Sequence, residues 1–203
     1  MAYAELSPTE LAVVITYLEM VERPRLQDMP AAPFRLQHWE RPDAADYLRL
    51  FRQVGQNWLW VGRLTEAEAE VAARLIDPRV TIHVVLDEAG AEVGMLEIDF
   101  RVPGQATIAY VGLVPEQTGQ GHGRWLLGQA LALAWRDGIS QVLVNTNNHD
   151  HPAALRSYLK IGFRPYARVV ATFQDPRLSG LLPREAAPQI PIIEHPRRFS
   201  RTR

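Results

Sequence analysis

The apolar residues of this chain follow two periods, one of strands and one of helices. In Ala12–Met20 they are dense and β-branched and predict a first strand, although Ser7-Pro8-Thr9-Glu10 ahead of them resembles a helix capping box. Residues 22–42 carry Pro24, Pro30, Pro33 and Pro42 and read as a loop. Asp43 is placed to cap a helix through Val54, closed by Gly55, and Thr65 with Glu68 forms a capping box for a second helix ending near Leu75. Val80–Leu86 and Glu92–Val102 read as strands joined by Asp87-Glu88-Ala89-Gly90, a hairpin signal. Pro103-Gly104-Gln105 turns the chain into a strand over Thr107–Val114. A helix follows from His122 to Asp137, with Leu127, Ala130, Leu131 and Ala134 forming a core-facing stripe and Gly138 suited to the C′ position. Gln141–Asn145 is a short apolar run, expected to be a buried strand parallel to Thr107–Val114. Pro152 opens a further helix to Lys160 that stops at Gly162, and Arg168–Phe173 is a last strand.

The 203 residues suit one domain over residues 1–175 with a Pro/Arg-rich tail over 176–203. That tail holds six Arg and two Glu, and the expectation for it is a solvated extension packed loosely on its own domain. The chain is 47% apolar, enough for a sizeable core, and its net charge of −1 supplies no field for nucleic acid or an anionic membrane. Without cysteine there is no disulfide, thiol nucleophile or Cys-based metal site. No apolar run is long enough to span a membrane, and no signal-peptide pattern is visible, so a cytoplasmic protein is expected.

The sharpest chemical signal lies between the Thr107–Val114 strand and the helix after it: Val114-Pro115-Glu116-Gln117-Thr118-Gly119-Gln120-Gly121-His122-Gly123. Glycines at alternate positions leave bare N–H groups at a helix N-terminus, where a phosphate or pyrophosphate is held well. A tight turn with no ligand is the competing reading. A P-loop fails, because Arg124-Trp125 follows Gly123 where Lys-Ser/Thr is needed. A Gly-x-Gly-x-x-Gly dinucleotide fingerprint fails from both starts, meeting Arg124 or Leu126 in the third place.

The run Val-Pro-Glu-x-x-Gly-x-Gly-x-Gly-x-x-Leu-Leu resembles the acetyl-CoA loop of the GNAT superfamily, the GCN5-related N-acetyltransferases. That family's pattern has Arg or Gln where this chain has Thr118, a departure that removes a long side chain but leaves the backbone N–H groups. A second match lies about 30 residues on: in Ala154-Leu155-Arg156-Ser157-Tyr158-Leu159-Lys160-Ile161-Gly162-Phe163, the residues Ala154, Tyr158, Lys160, Gly162 and Phe163 agree with the family's segment. His151 stands where Asn is usual and Ser157 where Leu is usual. The resemblance covers about residues 80–170 and leaves the tail outside it. It implies an α/β (α+β) fold with a mixed, mostly antiparallel central sheet, one parallel splayed strand pair and flanking helices.

The resemblance further implies acetyl-CoA as co-substrate, no metal, and an amine acceptor that is a small molecule or a peptide. Its cofactor contacts would come from Leu113, Val114, Thr118, Gly119, Gln120, Gly121, His122, Gly123, Arg124, His151 and Ala154. Tyr158 is the expected general acid, since a tyrosine stays protonated at neutral pH and can donate to a departing thiolate; a core tyrosine is the alternative. Gly112 suggests a bulge, a close backbone approach or simple packing. For the base, Glu97 and Asp99 share one face of their strand; Glu97 takes the ammonium's proton if that face lines the cleft, and otherwise the face is merely solvated. The His149-Asp150-His151 cluster reads as helix capping and cofactor edge rather than as a metal site. Trp39, Trp58 and Trp60 are either an acceptor wall or core. Three functions remain at this point: an N-acetyltransferase, a non-catalytic acyl-CoA-binding module, or a nucleotide binder. No nucleic-acid or membrane partner is expected, and a homodimer is possible.

Overall fold

Short-range chemistry starts and stops most of the elements. The computed structural model describes residues 3–25 and 30–194. The expectations for residues 26–29 and 195–203, including the last arginines of the tail, lie outside the described residues. Strand β1 (Glu10–Met20) takes the β-branched run, so the strand reading prevails over the helix. A short strand β2 (Arg35–His38) interrupts the region read as loop. Helix α1 (Ala44–Gly55) is capped by Asp43, whose carboxylate accepts from the Ala45 amide at 2.8 Å. Its Tyr47, Leu50, Phe51 and Val54 are all fully buried, one stripe at helical spacing.

Helix α2 (Glu68–Leu75) begins later than Thr65 suggests. The chain first makes a 3-10 turn at Gly62–Leu64, and the Thr65 hydroxyl closes it by donating to the carbonyls of Val61 and Gly62. The cap passes to Ala67, whose amide donates to the Glu70 carboxylate at 3.2 Å. Strands β3 (Val80–Leu86) and β4 (Glu92–Asp99) form the expected hairpin, with Gly90 at φ +85°. Strand β5 (Gln105–Leu113), helix α3 (Gly123–Ala134), strand β6 (Gln141–Asn147), helix α4 (Ala154–Ile161) and strand β7 (Arg164–Gln174) complete the order. Gly162 closes α4 at φ +112°.

The sheet runs β2-β3-β4-β5-β6-β1-β7. Its pairs are antiparallel except β5 with β6, the parallel pair expected. β1 is the departure: it wedges between β6 and β7, so the first strand of the chain sits among the last. α1 and α2 cover one face, over Val80, Ile82, Val84 and Met95. α3 and α4 cover the other, over Leu18, Leu96, Ile98, Ile108, Val142 and Val144.

Two features of the sheet create the cleft. β5 and β6 pair only from Gln105↔Gln141 to Ile108↔Val144. At that point β5 carries a bulge: Glu97 faces Tyr110 while Ile98 faces Ile108, which leaves Ala109 unpaired. Beyond it β5 stays with β4 while β6 stays with β1, so the two strands part.

The described part of the tail is built into the molecule. Arg177 pairs with Asp175 at 2.7 Å and donates to the carbonyls of Ala186, Ala187 and Ile190. Leu182, Ala186 and Ala187 are buried against Leu59. Small apolar residues between the prolines pack where a loosely held, solvated extension was expected.

Candidate active site

The parted strands open into a cavity of about 840 Å³. On its β5 side lie Val111, Gly112 and Leu113; at its rim lie Thr118, Gly119, Gly121, Gly123 and Arg124; across it lie His151, Ala154 and Tyr158 of the α4 region. Residues more than thirty positions apart in sequence therefore meet in one space.

The rim gathers backbone donors at a helix start. Gly119 and Gly121 sit at φ +76° and +86°, conformations that other residues adopt only with strain. Among the described residues, the amides of Gly119 through Gly123 donate to no protein acceptor, while Arg124 donates to Gly121 O and Leu126 to His122 O. These bare N–H groups stand at the start of α3, where the helix dipole adds positive potential. Thr118 turns inward instead, its hydroxyl donating to Pro115 O at 2.8 Å.

The pairing of β5 decides which backbone groups face the gap. Val114 donates to Val93 O, on the β4 side. A strand alternates its hydrogen-bonding direction, so Gly112 also turns to β4 while Val111 and Leu113 present N–H and C=O to the gap. Of the two expected strand contacts, Leu113 faces the gap, as Val111 does, and Val114 turns to β4. Gly112 is not the bulge. A side chain there would come within 2.8 Å of Val54 and 3.0 Å of Trp60, so its absence permits packing.

Tyr158 is buried, edge-on to Phe163 at 5.8 Å, and lines the cavity. Among the described residues its hydroxyl has no hydrogen-bond partner. Burial pushes its pKa well above the ordinary tyrosine value, and the nearby Asp150 carboxylate adds to the shift. It is thus a protonated donor aimed at an open cleft. Asp150 accepts from Thr146 Oγ1 and the Asn147 amide, each at 2.9 Å, and from Trp60 Nε1 at 3.2 Å. Burial raises its pKa against those bonds. His151 accepts from the Ala153 amide through Nδ1 and packs edge-on against Trp58 at 5.1 Å. His149 also lines the cavity, and burial lowers its pKa, so it is a neutral imidazole at physiological pH.

Besides Val114, two of the expected cofactor residues and the expected base keep their side chains out of the cavity. Gln120 folds back to donate to Glu116 O, and the His122 ring packs against Phe34. Glu97 is the substantial correction. It is fully buried outside the cavity, accepting from Tyr47 Oη and from Arg63 Nε and Nη2. Arg63 also reaches Glu66, which is shared with Arg74. Burial works against the Arg63 charge, but the Glu97 carboxylate more than offsets it and keeps the guanidinium protonated. Both Glu97 oxygens are thus engaged by Arg63 and Tyr47.

Trp58 and Trp60 do line the cavity, on the loop after α1, and bridge it to the start of α4 through His151 and Asp150. Trp39 packs with the α1 core. Missed in the sequence were Asn147 and Phe173, which line the cavity without any local motif to flag them, and Ser157, named only as a departure from the family segment. Among the described residues, no group of His, Asp and Glu is arranged to hold a metal ion, and no helix is long and apolar enough to cross a membrane.

Residues 78–165 match the family model of the acetyltransferase (GNAT) domain. No curated protein matches the chain. Among solved structures it is similar to a tandem GNAT protein from the clavulanic acid biosynthesis pathway, at 19% identity and TM-score 0.56, over 80% of this chain and 53% of that one. A GCN5-related N-acetyltransferase from Sphaerobacter thermophilus gives 15% identity and TM-score 0.54, over 83% of this chain and 52% of that one. An aminoglycoside acetyltransferase from an uncultured soil metagenomic sample, in complex with sisomicin, gives 16% identity and TM-score 0.54, over 70% of this chain and 96% of that one. The likeness at these identities is one of fold, and the chain spans only about half the length of the first two structures.

Proposed function

We propose, on the premise that residues 78–165 of this chain form a GNAT-superfamily acetyltransferase domain, that the cleft moves an acetyl group from acetyl-CoA to a primary amine. The observation that carries the reading is the meeting of three parts in one cavity: bare loop amides, the parted strands and a partnerless tyrosine hydroxyl. Each suits one part of the co-substrate. Amides of Gly119–Gly123 suit its diphosphate. The outward-facing N–H and C=O groups of Val111 and Leu113 suit the amide-bearing pantetheine arm, much as a strand edge receives a peptide.

The chemistry then follows from charge. The amine nitrogen attacks the thioester carbonyl carbon, and the carbonyl oxygen gains negative charge as the tetrahedral centre forms. A strand N–H facing the gap stabilises that oxygen. When the C–S bond breaks, Tyr158 gives its proton to the sulfur and recovers one from the nitrogen, directly or through solvent, leaving amide and free thiol. Glu97 is not assigned a step, because its oxygens are held by Arg63 and Tyr47.

Tyr158→Phe keeps the packed ring and removes only the donor. Turnover measured by thiol release should fall by roughly 100-fold or more, while CoA affinity by calorimetry stays within about twofold. Undiminished turnover would sink the acid assignment. The sealed state of Glu97 favours a second reading, an acyl-CoA-binding module without transfer. Under it the chain binds acetyl-CoA but releases no thiol with any amine.

A further inference from the structure

A second cavity, of about 660 Å³, lies against the α1/α2 face of the sheet. It shares Ala109, Tyr110 and Asn145 with the cleft, so the two spaces meet where β5 leaves β6. Its wall carries Arg74, Arg101, Thr107 and Asp99. We propose that this cavity is the acceptor's entry and holds a carboxylate on the amine substrate, through the unused guanidinium N–H groups of Arg101 and Arg74. The inference rests on the acyl-transfer reading of the adjoining cleft.

A ledger of donors and acceptors carries it. Both Asp99 oxygens are taken by Arg101, which uses Nε and Nη2 and, among the described residues, leaves Nη1 without a partner. Arg74 gives Nη2 to Glu66 and, among the described residues, has no partner for Nη1. The hydroxyl of Tyr110 and the side-chain amide of Asn145 have no hydrogen-bond partner among the described residues. The Thr107 hydroxyl accepts from Gln105 Nε2 and keeps its own proton to donate. Free donors thus outnumber free acceptors, and the ligand group that fits must accept. Charge narrows the group further. Arg63, Arg74 and Arg101 are balanced by Glu66, Glu97 and Asp99, so the wall is neutral overall and suits one negative charge better than two. A planar carboxylate matches guanidinium geometry. Asp99 and Thr107 face each other two residues before the bulge, roughly 7 Å along the strand from the point where the cavities join. The carboxylate and the reacting nitrogen are accordingly several bonds apart.

The test uses the full chain and acetyl-CoA, with a ladder of ω-amino acids set against n-alkylamines and diamines of equal length. Thiol release should favour the ω-amino acids by tenfold or more in kcat/KM. Arg101→Gln, on an exposed hairpin end, should bring that ratio toward one, with the loss in KM; Arg74→Gln should do the same in part. Affinity for CoA should not change in either variant. Calorimetry of the CoA-loaded protein with each amine gives a readout independent of turnover. Alkylamines or diamines binding and reacting as well as their carboxylate twins would overturn the inference, as would a preference that survives Arg101→Gln. Failure of CoA itself to bind would strike the acyl-transfer reading instead.

Discussion

Tyr158 and Glu97 are both buried ionisable residues, and their partners give them opposite uses. Tyr158 has no hydrogen-bond partner among the described residues and faces the cleft, so its proton is available. Glu97 is matched by Arg63 and Tyr47, so its charge is spent on holding the β4 face to the chain around Gly62–Leu64. His83 shows a third outcome. Burial lowers its pKa to about 4, with the His38 ring beside it adding to the effect. Below about pH 6.5 the unfolded chain binds a proton that the folded one refuses, so stability falls as pH drops and the loss is complete below about pH 4. That shift corresponds to up to about 3 kcal/mol. Urea unfolding at pH 7.5 and 4.5 should show His83→Leu losing less stability than the parent by an amount of that order; equal losses would exclude His83 as the cause. At this scale the sequence was legible where a motif exists: the glycines are read from their spacing, and Tyr158 was singled out through the family resemblance, and both line the cavity. It was not legible for Glu97, because a carboxylate on a strand face reads the same whether it meets substrate or a guanidinium arriving from 34 residues away.

Elements that end on local chemistry were readable, and those that depend on distant partners were not. Asp43, Gly90 and Gly162 mark their boundaries through capping or positive φ. The start of α2 slipped because Thr65 spent its hydroxyl on a preceding turn. The parting of β5 from β6 arises at Ala109, whose identity gives no sign of a bulge; pairing with β4 produces it. The loop between β5 and α3 is the element most sensitive to backbone change. A Cβ at Gly121 would meet nothing within 4 Å, so Gly121→Ala costs conformational energy alone. At φ +86° that cost is about 1–2 kcal/mol, which the free loop relieves by changing conformation. CoA affinity should fall roughly tenfold with little change in melting temperature. An unchanged dissociation constant would mean that the loop's conformation does not matter to the ligand.

For the whole molecule, the sheet order is the feature a linear reading reaches least. β1 pairs with β6 and β7 across more than a hundred residues, and no local pattern encodes a strand's neighbours. The tail is the companion case. Over its described residues 176–194 it forms no helix or strand, yet Arg177 and the buried Leu182, Ala186 and Ala187 lock it beneath Leu59. Leu59 and Val61 belong to the loop that walls the cleft. Ending the chain after Asp175 should lower the melting temperature by roughly 5 °C or more and raise the acceptor's KM, with CoA affinity retained. A truncated chain that keeps its melting temperature and KM would show the tail to be dispensable.

Acyl transfer in this cleft depends on where coenzyme A sits. Titrating CoA into the 15N-labelled protein and following backbone amide shifts reads this directly. The largest saturable shifts should fall on Gly119–Arg124, with a second group at Val111 and Leu113. Saturable shifts confined to another surface, or none at millimolar CoA, would contradict it.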